Sequence, residues 1–163
     1  MNYVVGFLFE ASLERVLLRL KARPAWQRGK LNGIGGKVEA GETPFYAMRR
    51  EALEEAGVAD GHLRLPGWQL YRSERFRSSA PDGSLEAAVH FFAAQLLPGV
   101  PLEQFPDASQ VESTRKEPEP NSPVYYSTIP ILAREHRMLY NLEYLVPYAR
   151  VWLESGEHHR SLP

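Results

Sequence analysis

The chain has 163 residues, the size of one ordinary domain, and its 44% hydrophobic and 24% charged residues are typical of a soluble globular fold. Its 19 Lys and Arg balance 20 Asp and Glu to a net charge of −1, so no overall basic field favours binding to a nucleic-acid duplex. The chain has no Cys, which excludes disulfides, zinc–thiolate sites and thiol nucleophiles. Without a long apolar run or a signal peptide, we expect a single-domain cytoplasmic protein over residues 1–163.

Two short apolar segments near the N terminus predict a β-hairpin. Residues 3–9 and 15–20 are β-prone, and the polar stretch 10–14 joins them. A basic loop over 21–30 follows, and then the glycine-dense segment 32–37. Glycines at this density allow the backbone to approach a neighbouring element or a ligand closely.

The next segment carries the signals of both ends of a helix. Thr43 is a good N-cap, Pro44 suits the first helical position, and Gly57 suits the position after the last turn. No residue between them breaks a helix. The apolar stripe of this helix is expected to consist of Phe45, Met48, Ala52 and Ala56.

The second half of the chain is predicted to hold further strands, a long loop and a final helix. The strands are expected over 68–76, 87–97 and 124–131, with a Pro-Asp-Gly turn at 81–83. About residues 98–123 we expect a long loop, because six of the 13 prolines fall there. Apolar residues at spacings of four and three predict a C-terminal helix over about 134–155, which Pro147 kinks or splits.

Three glutamates of the first helix form an acidic cluster. Glu51, Glu54 and Glu55 stand at i, i+3 and i+4, so they share one face and repel each other when ionised. A divalent cation relieves that repulsion, and carboxylate, carbonyl and water oxygens are the ligands preferred by Mg²⁺ or Mn²⁺. The alternative interpretation is a solvated helix face with an ion pair between Arg50 and Glu54.

The spacing from Gly36 to Val58 resembles the box of the Nudix hydrolases. Its seven fixed positions are filled by Gly36, Glu42, Arg50, Glu51, Glu54, Glu55 and Gly57. Segments 15–21 and 31–37 are similar to those of MutT-type members, and the likeness covers about residues 3–97. The resemblance implies an α/β fold, an α/β/α sandwich with a mixed β-sheet between helices. It also implies hydrolysis of a nucleoside diphosphate linked to a group X, with Mg²⁺ or Mn²⁺.

The resemblance also implies roles for individual residues. The metal ligands are expected to be Glu51, Glu54, Glu55 and the carbonyl of Gly35. Glu42 and Arg50 complete the catalytic set as the pair that holds the loop against the helix. An acid from the downstream loop often joins such a site. The candidates are Glu117 and Glu119, followed by Glu112, although glutamates in a Pro-rich loop are usually only solvated.

Candidate substrate-binding residues lie outside the box. Asn32 matches a position that contacts the base in MutT-type enzymes acting on oxidised purines, but it is equally a turn residue before Gly33. Lys21 and Arg23 are candidates for phosphate contact, and Trp26 is a candidate for stacking on a base; exposure or packing is the alternative for each.

One departure from the family pattern concerns the base. Where the purine-recognising enzymes carry paired aspartates, this chain has Asn141 and Leu142, and Asn141 remains a candidate contact.

The sequence therefore predicts a Nudix hydrolase that cleaves a pyrophosphate bond by metal-activated water, with a nucleoside triphosphate, modified or not, as the first substrate. The alternatives within the family are ADP-ribose, a nucleotide sugar and a dinucleoside polyphosphate. A nucleotide-binding regulatory domain is the alternative from another class, and its members are expected to have lost box carboxylates. The expected partner is a small nucleotide, and we expect no binding to a membrane or to nucleic acid. The sequence leaves open whether the protein forms a homodimer.

Overall fold

A mixed β-sheet forms the centre of the structure. The computed structural model describes residues 1–22, 25–77, 86–105, 123–127, 139 and 141–156. The strands of these ranges are β1 (Asn2–Phe9), β2 (Arg15–Leu20), β3 (Leu31–Asn32), β4 (Gln69–Arg77), β5 (Glu86–Gln95) and β6 (Pro123–Ser127). They are arranged in the order β3-β2-β1-β5-β4, and β6 pairs with β2. β1 and β5 are parallel and the other named pairs are antiparallel.

β1 lies between β2 and β5, which explains its nearly continuous apolar sequence. The predicted hairpin is confirmed, with Leu8 opposite Leu17 and Phe9 opposite Val16. Alternate residues of β1 enter two different cores, so that Val4 and Leu8 lie on one side of the sheet and Phe7 lies on the other.

Two helices cover the two faces of the sheet. Helix α1 (Pro44–Ala56) packs Met48 and Ala52 into the core that contains Val4 and Leu8, and helix α2 (Leu142–Ser155) packs Leu145 and Ala149 into the opposite core. The predicted α/β/α sandwich with a mixed sheet is confirmed. In the described ranges no helix is both long enough and apolar enough to span a membrane.

Helix α1 begins and ends where its caps predict. The Thr43 hydroxyl accepts a hydrogen bond from the Tyr46 N–H at 3.3 Å, and Pro44 stands at the start of the helix. Gly57 has a φ of 66° and donates its N–H to the Leu53 carbonyl, while the Val58 N–H reaches the Ala52 carbonyl. The Gly57–Leu53 bond is that of the αL type of helix ending, which favours glycine at its left-handed position.

The expected apolar stripe of α1 is wrong at its first member. Phe45 is 42% exposed, whereas Ala47 is buried beside Met48. The helix lies so close to β1 that a Cβ at Gly6 would be 2.5 Å from Met48 Cε, and the contact face is built from small side chains. A phenylalanine in the first turn does not fit there, and Phe45 instead packs edge-on against Tyr46.

Helix α2 continues through Pro147 without dividing into two. Its buried residues are Leu142, Leu145, Val146, Ala149 and Leu153. The predicted start at 134 and the loop over about 98–123 lie largely outside the described residues. The single-domain organisation therefore stays a prediction.

Candidate active site

The glycine loop, residues 33–36, is attached to β1 almost as an added strand. The Val4 N–H donates to the Gly36 carbonyl at 2.9 Å, and Gly6 and Ile34 exchange two hydrogen bonds of 2.7 and 3.0 Å. A Cβ at Gly35 would lie 2.1 Å from the Val4 carbonyl oxygen, and Gly35 has a φ of 149°. Only glycine therefore fits at position 35, and the backbone of the loop is held by the sheet.

Two of the three box glutamates of α1 lie against this loop. Glu55 Oε2 accepts a hydrogen bond from the Gly35 N–H at 3.0 Å. A Cβ at Gly36 would be only 2.4 Å from Glu51 Oε1, so the absence of a side chain there leaves room for that carboxylate. The caps of α1 and the loop–strand bonds together bring these two carboxylates to the same dipeptide.

Arg50 links the third box glutamate and the loop to the same cluster. Its guanidinium donates two bonds of 3.0 Å to the Glu42 carboxylate, one of 2.8 Å to Glu51 Oε1 and one of 3.2 Å to Glu54 Oε2. It also donates to the Lys37 carbonyl at 3.0 Å. The bond from Arg50 lowers the pKa of Glu42 below its ordinary value. Burial raises the pKa of Glu51, and the same guanidinium opposes that shift.

Lys21 is the second cation of the cluster. It is buried, and its Nζ lies 3.4 Å from Glu55 Oε1 and 3.4 Å from the Gly35 carbonyl oxygen. A positive charge is thus held between a carboxylate and a carbonyl that were both predicted to bind metal. Sequence reasoning assigned Lys21 to phosphate contact and did not foresee this pairing.

The box carboxylates do not converge on a single point. Across the described ranges, no group of three acidic or histidine side chains is arranged to hold a metal ion. Glu51 and Glu54 face Arg50, while Glu55 faces Lys21 and Gly35. Their oxygens, with the Gly35 carbonyl, are nevertheless the donor set of a hard divalent cation, and Lys21 shows that a cation fits between two of them. The residues present therefore fit Mg²⁺ or Mn²⁺.

One residue of the cluster was missed by sequence reasoning. Arg19 on β2 is 1% exposed, and its Nη1 donates a hydrogen bond to the Glu55 main-chain carbonyl. Strand periodicity could have indicated this position. Arg19 follows Leu17 by two residues, so in a strand it points toward the same core as that buried leucine.

A cavity of about 600 Å³ adjoins the cluster. Lys21, Gly35, Gly36 and Glu55 contribute to its wall. The remaining wall is mainly apolar and aromatic with a few amides, and includes Val5, Trp26, Asn32, Phe76, Phe91 and Asn141. A cavity with charged groups at one place and apolar and amide groups elsewhere suits a molecule with an anionic part and a flat, weakly polar part.

Asn32 is oriented by its own turn. It is 8% exposed, its Oδ1 accepts the Gly33 N–H at 2.8 Å, and its Nδ2 lies 3.5 Å from Gln27 Oε1. The turn role and the cavity position that the sequence left open are therefore both present. With Oδ1 engaged, the group that Asn32 offers to a ligand is mainly its N–H donor.

Asn141 and Trp26 also border the cavity. Asn141 stands at the N-cap of α2 but its side chain makes no capping hydrogen bond, although asparagine is among the preferred capping residues. Trp26 is 64% exposed, an unusual state for so large an apolar ring. Leu142, in contrast, is buried in the core under α2. Arg23, Glu112, Glu117 and Glu119 lie outside the described residues.

Comparison with known proteins agrees with this arrangement. The profile of the NUDIX domain matches residues 2–121. The chain is 39% identical over 89 residues to the oxidized purine nucleoside triphosphate hydrolase of Danio rerio, a match that covers 55% of this chain and 52% of that protein. The protein of the same name from Mus musculus is 40% identical over 91 residues, with 55% and 53% covered. The match thus spans about half the length of these curated relatives.

A solved structure shares the fold over nearly the whole chain. The MutT structure from work on Aliivibrio salmonicida and Vibrio cholerae has a TM-score of 0.57 at 19% identity, with 92% of this chain and 95% of that chain covered. The chain belongs to the Nudix family, because the family profile covers well over half of it and includes the box from Gly36 to Val58.

Proposed function

We propose that the protein is a Mg²⁺- or Mn²⁺-dependent hydrolase of nucleoside diphosphate-X compounds, with nucleoside triphosphates as its substrates. The observation that carries the proposal is that Glu55 and the Gly35 carbonyl lie in the wall of a nucleotide-sized cavity, with Glu51 against the adjoining Gly36. A purely regulatory nucleotide-binding domain has no need of this complete carboxylate set. The small-nucleotide partner and the cytoplasmic location expected from the sequence belong to the same proposal.

The reaction proposed is hydrolysis of a phosphoric anhydride. Water oxygen forms a bond to one phosphorus, the bridging P–O bond breaks, and one proton passes from the water to a base. A bound divalent cation would lower the pKa of water and stabilise the negative charge on the phosphoryl oxygens. The residues that would hold it are Glu51, Glu54, Glu55 and the Gly35 carbonyl. The downstream acids Glu117 and Glu119 stay predicted candidates for the base.

The remaining residues of the cluster have separate tasks. Arg50 and Glu42 keep the loop and α1 in register, because one guanidinium bonds to both. The Lys21 ammonium lies beside Glu55 and the Gly35 carbonyl and lines the cavity, so it would pair with the phosphates of a nucleotide bound there. The apolar wall excludes water around the rest of the nucleotide and strengthens these charge interactions.

The substrates to test first are oxidised purine nucleoside triphosphates. The support is the similarity over about half of the chain to hydrolases of that name, together with Asn32 in the cavity wall. Asn141 and the buried Leu142 replace the paired aspartates of those enzymes, so we expect weaker discrimination between oxidised and unmodified purines. ADP-ribose, nucleotide sugars and dinucleoside polyphosphates remain the alternatives within the family.

The test is release of phosphate or pyrophosphate from a panel of these compounds, with Mg²⁺ and with Mn²⁺. We expect turnover concentrated on nucleoside triphosphates and a fall of several orders of magnitude in Glu55→Gln. Glu154→Gln is the matched control, because it removes a surface carboxylate of α2 that pairs with Arg150. An unchanged rate in Glu55→Gln would overturn the proposed mechanism. Nucleotide binding without any turnover would favour the regulatory alternative.

A further inference from the structure

A buried arginine underlies the last turn of α1. Arg19 lies on β2, two residues after Leu17, and both therefore point toward α1. Its side chain is almost completely buried, and the Nη1 N–H donates to the main-chain carbonyl of Glu55. A charged side chain is almost never fully buried unless it is paired or hydrogen-bonded, so the contact with Glu55 is a specific feature of this position.

The end of α1 needs the donor that Arg19 provides. The last carbonyls of a helix have no partner within the helix. Here the Gly57 N–H donates to the Leu53 carbonyl and the Val58 N–H donates to the Ala52 carbonyl. Neither of these two N–H groups bonds to the Glu55 carbonyl. No basic residue stands in the last turn of α1 itself. Arg19 supplies both a hydrogen bond and a positive charge at the negative end of the helix dipole.

Glu55 is therefore held at two places by side chains that lie close together in sequence. Arg19 of β2 contacts its main chain, and Lys21, directly after the end of β2, contacts its carboxylate. The Gly35 N–H fixes the other carboxylate oxygen. The direction in which the Glu55 side chain leaves the helix is thus set by Arg19, Lys21 and Gly35 before any ligand is bound.

We propose that Arg19 is a positioning residue for the metal site, acting through the main chain of Glu55. The inference rests on the proposed function, which makes Glu55 a metal ligand. Partners that orient metal ligands typically change metal affinity or activity by about 10- to 100-fold when they are removed. Arg19 itself does not line the cavity, so its effect is expected on the metal rather than on the nucleotide.

The experiment measures binding of Mn²⁺ alone, without substrate, by the electron paramagnetic resonance of the free ion. The variants are Arg19→Met and Arg19→Lys. Each is measured at high ionic strength and at a temperature where it is folded. Leu17→Ala is the matched control, since it disturbs the same face of the same strand by a cavity and leaves Glu55 untouched. Glu55→Gln identifies the site that is being titrated.

Two effects of Arg19→Met have opposite signs. Loss of a positive charge favours a cation, but this through-space effect is screened by salt and by the effective dielectric of the site. Loss of the bond to Glu55 misplaces a ligand. We therefore expect Mn²⁺ affinity to fall roughly 10-fold in Arg19→Met. Arg19→Lys keeps the positive charge but lacks the planar guanidinium, so its loss of Mn²⁺ affinity is expected to be smaller.

The outcomes separate this inference from the proposed function. Wild-type or tighter Mn²⁺ binding in Arg19→Met overturns the role of Arg19, as does an equal weakening in Leu17→Ala. If Arg19→Met does not fold, Arg19→Lys decides: weaker binding supports the role and wild-type affinity overturns it. The proposed metal site itself is wrong if the wild-type protein does not bind Mn²⁺, or if Glu55→Gln binds it as the wild type does.

Discussion

Gly36 and Glu51 are so close that a Cβ at Gly36 would lie 2.4 Å from Oε1 of Glu51. The missing side chain of one residue is thus the space occupied by the carboxylate of the other. Glu51 Oε1 also accepts the bond from Arg50, so its position is fixed from two sides.

The first prediction follows from this contact. Gly36→Ala is expected to displace the Glu51 carboxylate and to leave the fold intact. The atom that the new Cβ would meet is Oε1, at the end of the flexible Glu51 side chain. A misplacement of about 1 Å costs roughly 100-fold in rate, and we expect a loss of that size in metal-dependent hydrolysis. The melting temperature should change little. Gly61→Ala is the control, since a Cβ there meets open space; equal rates in both variants would contradict the argument.

The second prediction concerns pH and the pair of Glu42 and Arg50. The folded-state pKa of Glu42 is lowered by the Arg50 hydrogen bond, so the pair stabilises the fold above the ordinary value of 4.5 and loses that contribution as the pH falls through the folded pKa. Glu42→Gln should therefore destabilise the protein by about 1 kcal/mol at neutral pH. The difference from wild type should vanish in acid. Urea unfolding across pH measures this, with the exposed Glu39→Gln as control; a pH-independent difference would refute the linkage.

The third prediction concerns Trp26 at the cavity wall. If a base stacks on its exposed ring, nucleotide binding should quench tryptophan fluorescence through Trp26, because neither Trp68 nor Trp152 lines the cavity. Base–aromatic stacking is worth about 1–3 kcal/mol, so Trp26→Ala should raise KM by roughly 5- to 150-fold. Trp26→Phe should restore most of the affinity while removing the quenching. A wild-type KM in Trp26→Ala would show that the ring is only exposed.

The fourth prediction tests which group of Asn32 meets the ligand. Asn32→Asp keeps an oxygen to accept the Gly33 N–H and removes only the Nδ2 donor. We expect KM for nucleoside triphosphates to rise roughly 10-fold or more, because a ligand acceptor then faces a carboxylate. Asn141→Asp adds the same charge at another point of the wall. An equal rise in both variants would mean that charge, not the hydrogen bond of Asn32, is responsible.

The elements with local signals could be predicted from the sequence. The bounds of α1 follow from Thr43, Pro44 and Gly57, because capping depends on residues adjacent in the chain. The hairpin of β1 and β2 is similarly local. The box predicted Glu51, Glu54 and Glu55 as metal ligands beside the glycine loop. Glu51 and Glu55 lie against that loop, and metal binding by the three stays a prediction.

The contacts that depend on the packing of distant elements could not be predicted. Phe45 was assigned to the core because periodicity does not reveal how close α1 lies to Gly6. Arg19 was passed over because only the sheet places it beneath Glu55, 36 residues away in sequence. The contact of Lys21 with the Gly35 carbonyl likewise depends on how the residue after β2 packs against the glycine loop.

The bonds that join the glycine loop to β1 have a consequence for how the site meets its ligands. Because Val4, Gly6 and Ile34 donate their amides across this junction, those amide protons are expected to exchange with deuterium as slowly as the sheet itself, with or without a ligand. The loop backbone that lines the cavity then has the same shape before a ligand binds. Little conformational entropy is lost there on binding, and more of the contact energy remains for affinity.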